Sequence, residues 1–160
     1  MASAYQTLIM PGSLINGHWH KSEQTFAVRN KANGETVATI SNAQPADMES
    51  AIIHATEAFA DWRNTTGAER SRLLMAWYTK LAEHRDALAT LLTIEQGKPL
   101  AEARGEIDYG AGYVRWFAGE AERIYGDLSD GLHNGQSVKV IKKPVGVVGA
   151  ITPWNFPNAM

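Results

Sequence analysis

Short apolar and β-branched runs open the chain. Leu14-Ile15, Phe26-Ala27-Val28 and Thr36 to Ile40 have strand character, and Asn16-Gly17 and Asn33-Gly34 punctuate them. Asn-Gly is the strongest two-residue turn signal, so residues 13–41 are expected to form a small antiparallel unit. The period then changes. Pro45 suits a first helical turn, and Met48, Ile52, Ala55, Phe59 and Trp62 recur at helical spacing behind it. A second stripe, Leu73, Leu74, Trp77, Leu81, Leu88, Leu91 and Leu92, predicts helix from about Ala68 to Gln96, with a break near Glu83-His84. Gly97 followed by Pro99 is the usual order for a helix stop.

A third helix is predicted from Pro99 to about Tyr125, with Ile107, Val114, Phe117, Ala121 and Ile124 on its inner face. Gly105, Gly110, Gly112 and Gly119 interrupt it at about 1 kcal/mol each. Such glycines imply close helix packing or the approach of another element or a ligand. Residues 126–136 are polar and expected to form a loop, and Ser137 to Lys143 alternates partly as a strand whose lysines discourage edge pairing. Residues 144–152, Pro-Val-Gly-Val-Val-Gly-Ala-Ile-Thr, are apolar without alternation, the pattern of a strand covered on both faces of a parallel sheet. Such a strand needs neighbours reached through crossovers of about a dozen residues or more, and eight residues follow Thr152. The sheet is therefore expected to be incomplete, and its exposed apolar strand to favour poor solubility or oligomers.

Composition narrows the function classes. The 160 residues suit one domain, 44% hydrophobic and 20% charged, with a net charge of −2 that favours neither nucleic acid nor an anionic membrane. There is no cysteine, which removes disulfides, Cys-ligated zinc and thiol nucleophiles together. The N-terminus lacks the basic and apolar regions of a signal peptide, and no stretch reaches the roughly 20 apolar residues of a membrane span, so a cytoplasmic location is expected.

The last ten residues, Ile151 to Met160, carry the candidate chemistry. Trp154-Asn155-Phe156 lies between Pro153 and Pro157, at the C-terminal end of the expected parallel strand, where open α/β folds bind ligands. This corner is either a proline-braced turn with its aromatics packed inward, or a rigid mount for Asn155. An Asn amide can donate to developing negative charge without transferring a proton. His18 and His20 share one strand face but show no third metal ligand. The glycine pairs fit no dinucleotide fingerprint or P-loop. Glu102 and Glu106, one helical turn apart, are read as a solvated face.

Lys143 to Pro157, with its unbroken Pro-Trp-Asn-Phe-Pro corner, resembles the first Rossmann strand of aldehyde dehydrogenases. Thr93 to Ala103 is similar to a second landmark of that family, and Leu14 to Gly17 and Asn33 to Glu35 resemble its N-terminal strands. Glu95 to Pro99, Trp116 to Ala118 and Arg123 to Asp127 most resemble the succinate-semialdehyde dehydrogenase (NADP) branch. Lys31 stands where the family's turn usually has proline.

The resemblance implies an α/β chain with an incomplete aldehyde dehydrogenase-like fold: an N-terminal β unit and helices leading into the first Rossmann strand. Residues 1–160 would be the N-terminal part of the cofactor-binding domain, with 126–143 as an oligomerisation-type loop and strand and the catalytic domain absent. It also implies NADP or NAD as cofactor, a small-molecule aldehyde as partner, and a homo-oligomeric complete enzyme that oxidises succinate semialdehyde to succinate through a cysteine thiohemiacetal. Asn155 would donate to the thiohemiacetal oxygen. Thr152, Pro153 and Trp154 would line the cofactor cleft. Phe156 and Tyr109 would line the substrate pocket. The nucleophilic cysteine and general-base glutamate of the family would lie beyond Met160, so the isolated chain is expected to be inactive. The alternative is a truncated product that pairs with full-length subunits or has no function of its own.

Overall fold

A computed structural model describes residues 4–160; the reading of the N-terminus begins at Met1 to Ser3, outside the described residues. Three two-stranded antiparallel sheets and four α-helices follow one another along the chain. Strands β1 (Ser13–Ile15) and β2 (His18–His20) pair across the Asn16-Gly17 turn, with Leu14 opposite Trp19. Strands β3 (Thr25–Arg29) and β4 (Thr36–Ser41) pair with Phe26 opposite Ile40 and an irregularity between Val28 and Arg29. The turn between them is fixed by side chains: Asn33 Oδ1 accepts the Glu35 N–H at 3.0 Å, and Asn30 Oδ1 accepts the Ala32 N–H at 2.9 Å. The Lys31 N–H donates to the carbonyl of Ile94 at 3.4 Å, a bond that proline could not make.

Helix α1 (Pro45–Trp62) starts where expected. The Asp47 carboxylate, near the positive helix end, accepts the Gln44 N–H at 2.8 Å. Its apolar stripe is not covered: Met48, Ile52 and Trp62 all stand in solvent. The predicted long helix divides at His84 into α2 (Gly67–Glu83) and α3 (Arg85–Gln96). Thr66 caps α2 by accepting the Glu69 N–H at 3.2 Å. Gly97 ends α3 at φ 86°, a left-handed position that costs glycine nothing.

Helix α4 (Leu100–Ala121) begins after Pro99 and stops four residues before Tyr125, so Ile124 lies outside it and is exposed. It packs against α2 and folds back along α3 as a helical hairpin. The seam mixes small and large apolar residues. Ala89 and Leu92 of α3 meet Ala103 and Ile107 of α4, while the larger Trp77, Trp116 and Phe117 remain exposed. Small side chains let two backbones approach closely, and Leu88, Leu92 and Ile107, expected on the inner faces, pack beside the alanines. Two ion pairs lace the hairpin: Arg85 grips Asp108 with two bonds of 2.6 Å, and Arg104 Nε donates to Asp86 Oδ1 at 2.8 Å.

The polar loop expected over residues 126–136 is partly a strand. β5 (Asp127–Asp130) pairs with β6 (Ser137–Val140), which ends three residues short of Lys143. The α/β class holds, but residues 144–152 form no strand and are not buried. Val145 is 92% exposed and Ile151 fully so. A strand exists only where a neighbour takes its N–H and C=O groups. Among the described residues the three hairpins use their own strands, and none runs beside 144–152.

An uncovered Val-Gly-Val-Val-Gly edge should associate with itself. Light scattering on the 160-residue chain is expected to show mass rising with concentration, and Val147→Lys with Ile151→Lys to shift it towards monomer. A monodisperse unmodified monomer contradicts this. A second expectation concerns acid. The Arg85 hydrogen bond holds the Asp108 carboxyl below its ordinary value, against a smaller opposing effect of burial. A depressed folded value adds stability at pH above the unfolded value of about 3.9, and that stability is lost as pH falls further. Arg85→Gln should therefore flatten the loss of stability below about pH 4, read by urea unfolding; an unchanged slope would show the pair to be idle.

Candidate functional site

The hairpin link, Gly97-Lys98-Pro99, is three residues long and projects one lysine back under the hairpin. Lys98 and Glu106 of α4 form an ion pair withdrawn from water, with side chains 12% and 1% exposed. Glu106 is therefore not part of a solvated face. It shares the buried side of α4 with Ala103, Ile107 and Gly110, whereas Glu102, one turn earlier, is exposed. A charge is stable there only when paired and fully hydrogen-bonded.

The remaining bonds of that pair go to the C-terminal corner. Lys98 Nζ donates to the main-chain oxygen of Asn155 at 2.9 Å and lies 4.1 Å from the centre of the Phe156 ring. Glu106 Oε1 accepts the Asn158 N–H at 2.9 Å. Gln96, in the last turn of α3, donates its amide to the carbonyl of Trp154 at 2.8 Å. The corner also closes on itself, with Phe156 N–H to Pro153 O at 3.4 Å and Met160 N–H to Phe156 O at 3.2 Å. Ala159 is buried beneath it.

Gly110 makes this docking possible. A Cβ there would lie 2.7 Å from both the backbone oxygen and the side-chain nitrogen of Asn158. Of the four glycines in the third predicted helix, it alone meets another element: Gly105 and Gly112 have open space, and Gly119 faces the Arg123 side chain.

The corner is thus a braced turn, but its aromatics are not packed inward. Trp154 is 85% exposed, and Thr152, Pro153, Asn155 and Phe156 are exposed too. The structure brings Trp154, Asn155 and Phe156 together with Gln96, Lys98 and Glu106, three residues that hydrophobic periodicity does not link to the corner. The one sequence signal for Glu106 is its place among Ala103, Ile107 and Gly110 on a single helical face. Tyr109 lies elsewhere. It lines a shallow groove of about 480 Å³ with Asp108, Gly112, Tyr113, Trp116 and Phe117, and no corner residue lines it. Its hydroxyl is 2.6 Å from that of Tyr113, with rings edge-on at 4.9 Å, and this bond raises the Tyr113 hydroxyl above the ordinary phenol value.

His18 and His20 sit on β2 with both side chains exposed. Among the described residues no group of three or more His, Cys, Asp or Glu could hold a metal ion, and no helix is long and apolar enough to cross a membrane.

Two alanine substitutions separate docking from helix propensity. Either removes about 1 kcal/mol of glycine cost from α4. At Gly110 the new methyl must also displace the Asn158 backbone, an overpacking cost of about 1–3 kcal/mol. Urea unfolding should show Gly105→Ala stabilised and Gly110→Ala neutral to destabilised; equal gains at both sites would mean that the corner does not dock there.

The sequence and fold both have known counterparts. Glutarate-semialdehyde dehydrogenase of Pseudomonas putida is 49% identical over 148 residues, 91% of this chain and 31% of that protein. Succinate-semialdehyde dehydrogenase [NADP(+)] of Escherichia coli is 45% identical over 150 residues, 92% of this chain and 31% of that one. The crystal structure of succinate-semialdehyde dehydrogenase from Burkholderia pseudomallei superimposes with a TM-score of 0.92 at 42% identity, covering 96% of this chain and 32% of that one. The chain thus spans a little under a third of the length of these relatives. The pattern of the aldehyde dehydrogenase family matches residues 19–160, and the chain belongs to that family.

Proposed function

We infer that this chain is the N-terminal part of an NAD(P)-dependent semialdehyde dehydrogenase, and that its corner supplies the oxyanion donor. The observation that carries this reading is an asymmetry at Asn155. Its backbone oxygen is anchored from below by Lys98, while its side chain is exposed. A fixed turn limits the positions that its side-chain amide can reach, and preorganisation is what makes an oxyanion donor effective.

The reaction needs a thiolate, and this chain holds no cysteine, so the nucleophile comes from outside these 160 residues. As the thiolate adds to the aldehyde carbon, the carbonyl oxygen gains negative charge. The Asn155 side-chain N–H donates to it. Phe156 supplies an apolar wall next to the reacting carbon, and Tyr109 a more distant aromatic surface. Succinate semialdehyde is the substrate favoured by similarity to the E. coli and B. pseudomallei enzymes; glutarate semialdehyde, one carbon longer, is favoured by the P. putida relative.

Thr152, Pro153 and Trp154 would hold one edge of the nicotinamide nucleotide. They fit such a group, since an exposed indole offers a flat stacking face and an exposed threonine a hydroxyl beside it. When bound, the nicotinamide accepts the hydride. The residues in this chain do not choose between NADP and NAD. Strand β6 and the loop before it, within 126–143, would join the subunits of a homo-oligomer.

The test is Asn155→Ala in the dehydrogenase that carries this segment. The turnover number for succinate semialdehyde should fall about 10²–10³-fold, as for other lost oxyanion donors, with KM much less affected. An unchanged turnover number would end the oxyanion reading. The 160-residue chain alone should produce no NAD(P)H, and protein-dependent production would overturn the assignment of the nucleophile to another part of the enzyme.

A further inference from the structure

Lys98 and Glu106 address the corner with opposite chemistry. The ammonium offers donors only, and it meets an acceptor, the Asn155 carbonyl, together with the negative face of the Phe156 ring. The carboxylate offers acceptors only, and it meets a donor, the Asn158 N–H. Each charge therefore has one bond for its partner and at least one contact with the corner. The polarity of the pair matches the polarity of the backbone it touches.

This exceeds what a staple for the helical hairpin would require. Arg85–Asp108 and Arg104–Asp86 already tie α3 to α4, and they do so at the exposed surface. The Lys98–Glu106 pair is withdrawn from water, where an unpaired member would be costly. That cost gives the pair directional control. If the corner moved away, Lys98 would lose an acceptor and Glu106 a donor.

We propose that Lys98 and Glu106 are positioning residues that hold the turn of residues 153–159 by its backbone and thereby aim the Asn155 amide. The holding rests on the contacts themselves; its effect on catalysis rests on the oxyanion reading above. Gln96 serves as an auxiliary tether through the Trp154 carbonyl.

The test uses two double variants of the complete dehydrogenase, with amide hydrogen exchange read by mass spectrometry with residue-resolving fragmentation. Lys98→Met with Glu106→Met replaces the pair by apolar side chains of similar length, an exchange that cores often tolerate. Protection at Phe156, Asn158 and Met160 should fall by about tenfold or more, while Ala89, Ala103 and Ile107 stay within about threefold of the unmodified chain. Lys98→Glu with Glu106→Lys keeps an ion pair but turns a carboxylate towards a carbonyl and an ammonium towards an N–H. It should not restore the corner.

Three results would overturn the proposal: an unchanged corner in the double-Met variant, a corner restored by the swapped pair, or parallel loss of helix and corner protection in both variants. In the complete dehydrogenase, the double-Met variant should lower the turnover number and leave KM for the aldehyde largely unchanged. A loosened corner combined with full activity of Asn155→Ala would leave the positioning intact and remove the oxyanion reading.

Discussion

A buried carboxylate and a largely enclosed ammonium hold this arrangement together. Lys98 is enclosed by Glu106, the Asn155 carbonyl and the Phe156 ring, and Glu106 by Lys98 and the Asn158 N–H. Desolvating two ions costs several kcal/mol each, recovered only when geometry and remaining hydrogen bonds are good. Both ions therefore constrain whatever supplies those bonds. The suppliers lie about 50 residues downstream of Lys98 and Glu106, and loop closure over that distance is costly. The pair converts a local helical hairpin into a mount for a remote turn.

That mount needs the helices to be close. The α3–α4 seam depends on Ala89 and Ala103, and at Gly110 a hydrogen replaces a side chain where the corner comes in. Larger residues would separate the backbones and leave Lys98 unable to reach both Glu106 and Asn155. The bulky residues on the same elements do different work. Trp77, Trp116 and Phe117, with Met48, Ile52 and Trp62 of α1, are exposed.

Much of the local structure was legible in the sequence because the signals are chemical and short-ranged. Asn16-Gly17 made a hairpin, Pro45 opened a helix, the break fell at His84, and Gly97 and Pro99 bounded the link. Periodicity found Leu88, Leu92 and Ile107 of the seam but not Ala89 and Ala103 beside them, while Trp77 and Phe117, which it also placed inside, are exposed. It also failed for residues 144–152, where an apolar run signals burial only if a neighbouring strand supplies it. The corner was recognisable from its Pro-Trp-Asn-Phe-Pro motif, but not the means that holds it. An acidic residue one turn from another acidic residue resembles a solvated face. Its place beside Ala103, Ile107 and Gly110 on one helical face is the sequence signal that sets Glu106 apart from Glu102, and its bonds to Lys98 and the Asn158 N–H are the tertiary one.

The partners Gln96, Lys98, Glu106 and Gly110 precede the corner in the chain. They are all synthesised before Pro153 leaves the ribosome, and the α3–α4 hairpin they belong to is assembled from neighbours in sequence. The receiving surface can therefore be complete, with its ammonium waiting for a carbonyl, when the turn arrives.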